Sequence, residues 1–482
     1  MKRKFLKNLT FLLFVNLLVK PFYVLGIDVG IQNAVPESYG IYFPLLSLSL
    51  MFQVILDMGI ENFTRREIAR HHHLLSKYLS NIFVLKLFLA CIYFAICLLI
   101  VVAGDYSIYQ IRLLMVLLFN QFLASIILYL RANIGGLQLF KTESIISVLD
   151  KTLLITICGT LLWGNFTKKP FQIEWFIFAQ TFAYFATFLV SLFIVLHHSG
   201  KVKLGFDFRN NFLIIKKSLP YAFLMLLMAS YLRIDSILLE RILPDGNIEA
   251  GIYAHSFRLL EMMQNYGYLF AIILMPMFAK MLKNKEPVEQ LVNISSLIIF
   301  VPAIIVSVAS VFYSHEIIKL LYTNHLELSA KVFKIIMPGF IGMCATYIFG
   351  ALLTANGNLR TLIIIAAVGV VVSLVLNFLL IPQLGARGSA IANLSAQMVT
   401  AFMQVYAATR VFGFKANYRL IFRILLFTIT AIILAWLTKK TGLLWFYQLA
   451  IFSFASVIVA FILKIFNLKN VTQVMRIGDK IA

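Results

Sequence analysis

Charge is scarce in this sequence. Only 13% of its 482 residues are Asp, Glu, Lys or Arg, about half the share of a soluble domain. A nucleic-acid binder needs dense Lys/Arg patches, so the net charge of +22 does not point to nucleic acid. Cysteine is scarce too. Cys91, Cys97, Cys158 and Cys344 lie inside apolar runs with no CxxC, which excludes a disulfide framework or zinc site of the usual spacing. No GxxxxGK[ST] occurs, so no P-loop binds ATP. No GxSxG, HExxH or paired loop carboxylates stand out, so nothing marks an enzyme. The one histidine run, His71-His72-His73, is contiguous, and adjacent ligands do not converge on a tetrahedral metal. It reads, with Arg65, Arg66, Arg70 and Lys77, as a loop facing anionic lipid. No metal site and no resident cofactor are expected.

Apolar runs fill the space that charge leaves. Hydrophobic residues make up 61% and mean hydropathy is +0.92. A membrane-spanning helix needs about 20 mainly apolar residues. Such windows predict an all-α membrane protein of about 14 transmembrane helices. They lie near 9–30, 38–60, 79–103, 108–131, 144–164, 173–197, 217–240, 250–279, 288–313, 331–354, 360–381, 388–410, 420–438 and 442–466. The basic start Met1-Lys2-Arg3-Lys4 leads into an uncleaved first span. With the N-terminus inside, about 27 of the 42 Lys and Arg fall on the cytoplasmic side, so both termini are expected there.

A faint internal repeat supports a doubled architecture. Gly40-Ile41-Tyr42 opens the second span and Gly251-Ile252-Tyr253 opens the eighth. Each follows a span holding a cation, Lys20 and Arg233. Six spans repeated in like orientation would be related by an axis along the membrane normal.

Ions at mid-bilayer cost roughly 2.5–3.5 kcal/mol each on insertion scales, so they face a cavity or a partner. The candidates are Lys20, Asp57, Lys86, Asp150, Lys151, Arg233, Asp235, Arg258 and Glu261. Lys20 precedes Pro21, which can kink a helix. Its structural alternative is pairing with Asp28 or Asp57. Arg258 and Glu261 are three apart and so share a helix face; an internal ion pair is the alternative there. Gln53, Asp57 and Glu61 make one polar stripe at helical spacing. Coupling to H⁺ or Na⁺ is considered at Asp57 and Glu261. Lys86, Asp150 and Lys151 are expected to snorkel toward the interface. Asn120, Gln121, Asn377, Asn393 and Gln397 could line a sugar path or join helices.

Three segments carry a family resemblance. Tyr39-Gly40-Ile41-Tyr42, Leu56-Asp57-Met58-Gly59-Ile60 and Arg65-Arg66-Glu67-Ile68-Ala69 resemble the second span and following loop of Wzx-type O-antigen flippases. Asn377-Phe378-Leu379-Leu380-Ile381-Pro382, with Gly385 and Gly388-Ser389-Ala390-Ile391-Ala392, resembles the link between their eleventh and twelfth spans. Ala355-Asn356-Gly357-Asn358 fits the region after the tenth. These flippases belong to the multidrug/oligosaccharidyl-lipid/polysaccharide (MOP) exporter superfamily.

The resemblance implies two pseudo-symmetric six-helix lobes around a central cavity, plus two C-terminal helices. On this chain they would be 1–200, 201–412 and 413–482. It implies an undecaprenyl-diphosphate-linked oligosaccharide as substrate, moved from the cytoplasmic to the periplasmic leaflet of a bacterial inner membrane. A polysaccharide polymerase and chain-length partner would act beside it. Superfamily members that carry lipid-linked peptidoglycan precursor hold the diphosphate with cations on the first, second and eighth spans. Lys20 and Arg258 match the first and eighth; no cation lies between Tyr42 and Ile60, and Arg233 would compensate. Lys20, Arg233 and Arg258 are therefore expected to bind the diphosphate. The rivals are a multidrug/cation antiporter of the same superfamily and a membrane polymerase or lipid-dependent glycosyltransferase.

Overall fold

The computed structural model describes residues 19–71, 75–164, 169–199, 208–414, 418–463 and 465. The start of the expected first span and His72-His73 lie outside them. Among the described residues every regular element is helical. The helices are α1 (19–34), α2 (Pro36–Asp57), α3 (Ile60–Arg70), α4 (Leu75–Ala103), α5 (Ile108–Gly136), α6 (Phe140–Trp163), α7 (Ile173–Ser199) and α8 (Phe208–Ile242). They continue as α9 (Gly246–Lys283), α10 (Glu289–Phe312), α11 (Ser314–Leu321), α12 (Leu326–Ala355), α13 (Leu359–Leu384), α14 (Ala386–Phe412), α15 (Tyr418–Lys439) and α16 (Trp445–Ile462).

Twelve helices among the described residues are long and apolar enough to cross a membrane. About fourteen were expected, and the difference falls on two places. Half of the expected first span precedes the described part of α1. The 27-residue α14 is long enough, but Asn393, Gln397, Thr400 and Gln404 make its buried face polar. Neighbouring helices, not hydrocarbon, cover that face. The chain is a multi-pass membrane protein.

The chain forms two compact units. The first comprises Met1–Glu240 with Asp245–Gly251, and the second Arg241–Pro244 with Ile252–Ala482.

In the first unit, α2 stops at a left-handed pair, Met58 (φ 43°) and Gly59 (φ 78°). Asp57 closes this corner: its carboxylate accepts the Gly59 and Glu61 N–H groups, both at 3.2 Å. Those donors would otherwise be orphans at a helix start. The Gln53–Asp57–Glu61 stripe is thus not one continuous surface, because Glu61 belongs to α3. Helix α3 then crosses the C-terminal end of α5 at Gly135-Gly136. A Cβ on Gly136 would stand 2.8 Å from Ile68 Cβ. Ile60, Ile68, Leu79, Ile82, Tyr129 and Ile134 pack the core beneath.

A second close crossing uses the repeat. Gly40 Cα would lie 3.5 Å from a Cβ on Gly251, and a Cβ on Gly40 would collide with the Asn247 carbonyl. The glycines of the two Gly-Ile-Tyr triplets face each other.

In the second unit, α10 packs on α15 and α16 through Val301, Ile304, Val308, Phe427, Ala431 and Phe452. Among the described residues each unit has a widened π-helical turn, Tyr23–Asp28 in α1 and Thr346–Gly350 in α12. Such turns recur at functional positions in helices.

Candidate functional site

Lys20 lies three residues before the π turn of α1 and is exposed. Its helix packs against α6. Neither structural partner considered for it is its partner here. Asp28 is sealed and accepts hydrogen bonds from Gln32 Nε2 (2.9 Å) and the Tyr39 hydroxyl (3.0 Å). Asp57 faces Lys86. Lys20 instead lies in electrostatic range of Lys151, Arg131 and Asp150.

Lys151 does not snorkel. Helix α6 begins at Phe140, so Lys151 sits 11 residues in, roughly 16 Å along the axis. Its ammonium rests over the rings of Tyr23 (4.9 Å to the centroid) and Tyr184 (5.3 Å). It lies 3.3 Å from the Tyr184 hydroxyl and 3.5 Å from Asp150. Two ring faces around one ammonium hold it by cation–π attraction.

Lys86 does not snorkel either. It is 1% exposed. It donates to the Leu56 carbonyl (2.9 Å) and Ser125 Oγ (2.7 Å), and lies 3.6 Å from Asp57. These contacts tie α4 to α2 and α5. Arg65 on α3 donates to Glu143 on α6 at 2.7 Å and lies 3.6 Å from Glu61. Glu61 has its pKa raised above the ordinary carboxylate range by burial, and next by the Asp57 charge.

The other expected diphosphate ligands sit differently. Arg233 is half-buried on α8, with the sealed Asp235 two residues on. Arg258 on α9 donates to Glu261 at 2.7 Å, and the side chains are 11% and 21% exposed. The alternative of an internal pair is therefore realised in the geometry.

The polar residues join helices where their partners are resolved. Asn120 donates to the Ile177 carbonyl (3.2 Å) and accepts from Thr181 (2.7 Å), linking α5 to α7. Asn377 accepts from Ser389 at 2.8 Å, linking α13 to α14. Asn393, Gln397 and Gln121 are buried, and Gln397 lies against Gly342 on α12.

Sequence reasoning passed over Arg131, Tyr23 and Tyr184. Tyr23 carried a signal, standing three residues after Lys20 on the same helix face. Arg131 carried depth, being five residues from the end of α5.

The comparisons with known proteins agree on the architecture. The family model described as polysaccharide biosynthesis protein matches residues 5–282. The fold is similar to the inward-closed lipid II flippase MurJ, with a TM-score of 0.73 at 13% identity, covering 94% of this chain and 98% of that one. It is also similar to an inward-facing multidrug-resistance MATE family transporter of the MOP superfamily (TM-score 0.62, 15% identity, 81% and 94% covered). A MOP superfamily transporter from Pyrococcus furiosus matches with a TM-score of 0.53 at 15% identity, 83% and 92% covered. No curated protein matches the sequence.

Proposed function

The chain belongs to the polysaccharide biosynthesis protein family, and from that premise we propose that it flips a polyprenyl-diphosphate-linked oligosaccharide across the bacterial inner membrane. The substrate would be an O-antigen, capsule or exopolysaccharide repeat unit, moved from the cytoplasmic to the periplasmic leaflet. The observation that supports a lipid-diphosphate cargo is Lys20, an exposed cation in the first span with no ion-pair partner among the described residues. A cation in a water-poor site interacts with a diphosphate far more strongly than in bulk water. The excess of Lys and Arg on alternate links supports cytoplasmic termini.

Ion coupling belongs to the same proposal. Asp57 and Glu261 are the carboxylates considered for H⁺ or Na⁺. Each already faces one cation, so uptake of an ion would compete with Lys86 or Arg258.

The test is reconstitution of the full chain in proteoliposomes holding a fluorescent polyprenyl-diphosphate disaccharide. Translocation would be read by lectin access from outside. The expected result is transfer that depends on the diphosphate and on Lys20. Uptake of a cationic dye against a pH gradient, with no movement of the lipid-linked sugar, would replace this reading with the antiporter.

A further inference from the structure

We propose that Lys20, Arg131 and Lys151 form a diphosphate site inside the first unit, built by α1, α5 and α6. This rests on the function proposed above and says which side chains hold the head group. It differs from the sequence expectation, which placed two of three ligands on α8 and α9.

The first argument is charge balance. Lys20 has both Lys151 and Arg131 in electrostatic range, and Asp150 as its nearby acid. Arg131 has Glu143, Glu61, Asp150 and Arg65 around it, yet forms no ion pair within 4 Å among the described residues. Glu143 and Glu61 are engaged by Arg65. Lys151 has only the neighbouring Asp150, at 3.5 Å. Among the described residues, counting Arg65, four cations face three carboxylates, so positive charge is left over beside Lys20 and Lys151, in a part of the chain where each ion is costly. A multivalent anion would remove that cost.

The second argument is an orphaned donor. Arg131 Nε is closed off from solvent with no hydrogen-bond acceptor among the described residues. A buried donor without an acceptor costs about 1–3 kcal/mol. A guanidinium offers a fork that matches two phosphate oxygens.

The third argument is preorganisation. Tyr23 and Tyr184 hold the Lys151 ammonium between them, and the Tyr23 hydroxyl stands on the π turn that follows Lys20. A long side chain already held in place gives up less freedom on binding. The chemistry recognised is a diphosphate, which a lipid carrier or the free ion could bring.

The test uses the purified full chain in nanodiscs, with farnesyl diphosphate, farnesyl monophosphate, farnesol and inorganic diphosphate as probes. Wild type should bind farnesyl diphosphate with an affinity that falls as salt rises. Arg131→Gln and Lys151→Gln should each weaken it at least tenfold, and Lys20→Gln likewise, with unfolding midpoints unchanged. Lys151→Arg should retain most of the affinity, which a purely structural role would not require. Arg233→Gln and Arg258→Gln should bind as wild type. Lys20 is exposed, so Lys20→Gln keeps the test decisive if Arg131→Gln fails to fold. Stronger binding of inorganic diphosphate than of the farnesyl ester would assign the site to the free anion and overturn a lipid head-group role. Unchanged binding in the Lys20, Arg131 and Lys151 variants would overturn the site, while the function would stand if wild type still moved the lipid-linked sugar. Loss of binding in these variants, in a chain that moves no lipid-linked sugar, would keep the site and remove the function.

Discussion

Asp28, Lys86, Glu143 and Asp235 are each nearly sealed from solvent, and all belong to the first unit. At the same depth the described interior of the second unit holds Ser, Thr, Asn, Gln and His255. His255 is satisfied by Ser329 Oγ at 2.9 Å and stacks on Tyr322 at 4.0 Å. Among the described residues the second unit's Lys and Arg ion pairs, Arg258–Glu261 and Lys439–Glu316, are only partly buried. Replacing a buried ion pair by apolar residues is often neutral or stabilising. Stability alone therefore does not account for a charge-rich interior in one unit. The diphosphate site proposed for the first unit would be a task that needs charge, and the described interior of the second unit is joined mainly by neutral hydrogen bonds.

The sharpest way to break this contrast is to remove its most buried cation. Lys86→Met would leave Asp57 without a cation and Ser125 without its donor, while the Leu56 carbonyl would keep the 3.1 Å bond from Ser125 Oγ. Breaking one side of a fully buried pair costs about 3–5 kcal/mol; Asp57 keeps some solvent, so the loss falls toward the lower end of that range. The expected outcome is a collapse in monodisperse yield and a large drop in thermal unfolding midpoint in detergent. Lys86→Met with Asp57→Asn should recover much of it. Arg258→Met should cost clearly less, because Arg258 is itself partly exposed whereas Lys86 is sealed and also donates to Leu56 O and Ser125 Oγ. Equal losses in both units would erase the distinction.

Close helix crossings sharpen the comparison next. Gly136→Ala drives a Cβ into Ile68, whereas Gly339→Ala in the second unit meets nothing nearer than 3.8 Å. Overpacking costs roughly 1–3 kcal/mol. Unfolding midpoints should fall for Gly136→Ala. They should hold or rise for Gly339→Ala, since Ala outranks Gly in a helix by about 1 kcal/mol.

Acidity gives a smaller, local effect. Glu61 has a raised pKa in the folded chain, from burial first and Asp57 second. Its folded form therefore holds a proton that the unfolded form releases from pH 4.5 upward. Stability from this group is full below that pH and is lost as pH rises through the folded value. Hydrogen exchange in 60–70 should quicken over that window, and Glu61→Gln should flatten the response. Exchange in α11 serves as the internal reference for the intrinsic pH dependence.

Much of the fold was legible because a bilayer imposes one rule, about twenty apolar residues per crossing. The corner after Asp57 was written in Met58-Gly59, yet the stripe Gln53–Asp57–Glu61 followed helical spacing straight through it. Periodicity does not show where a glycine is used for a left-handed turn. An apolar window that opens at 144 puts Lys151 near the interface. The helix begins at Phe140, and four residues are one turn of depth. Lys86 was visible as a charge in an apolar run, but its acceptors, Leu56 O and Ser125, come from other helices. Arg131 was hidden for the same reason: its neighbours Glu143, Glu61 and Asp150 are brought to it only by packing.

The smallest effect tests the neutral half of the contrast. Asn377 receives Ser389 Oγ at 2.8 Å and donates to the Ser373 carbonyl at 2.8 Å. A hydrogen bond between helices in a membrane averages about 0.6 kcal/mol, since the separated helices find other partners. Asn377→Leu removes these bonds and the 3.2 Å bond to Ser373 Oγ; the groups it leaves are the small Ser389 and Ser373 hydroxyls and a helical carbonyl that keeps its place in the α13 ladder. The midpoint should move by an amount near the limit of measurement, and sugar transfer should persist. A drop approaching that of Lys86→Met would mean that neutral and charged interiors carry equal weight. The second unit could then no longer be set apart from the first on the strength of what it buries.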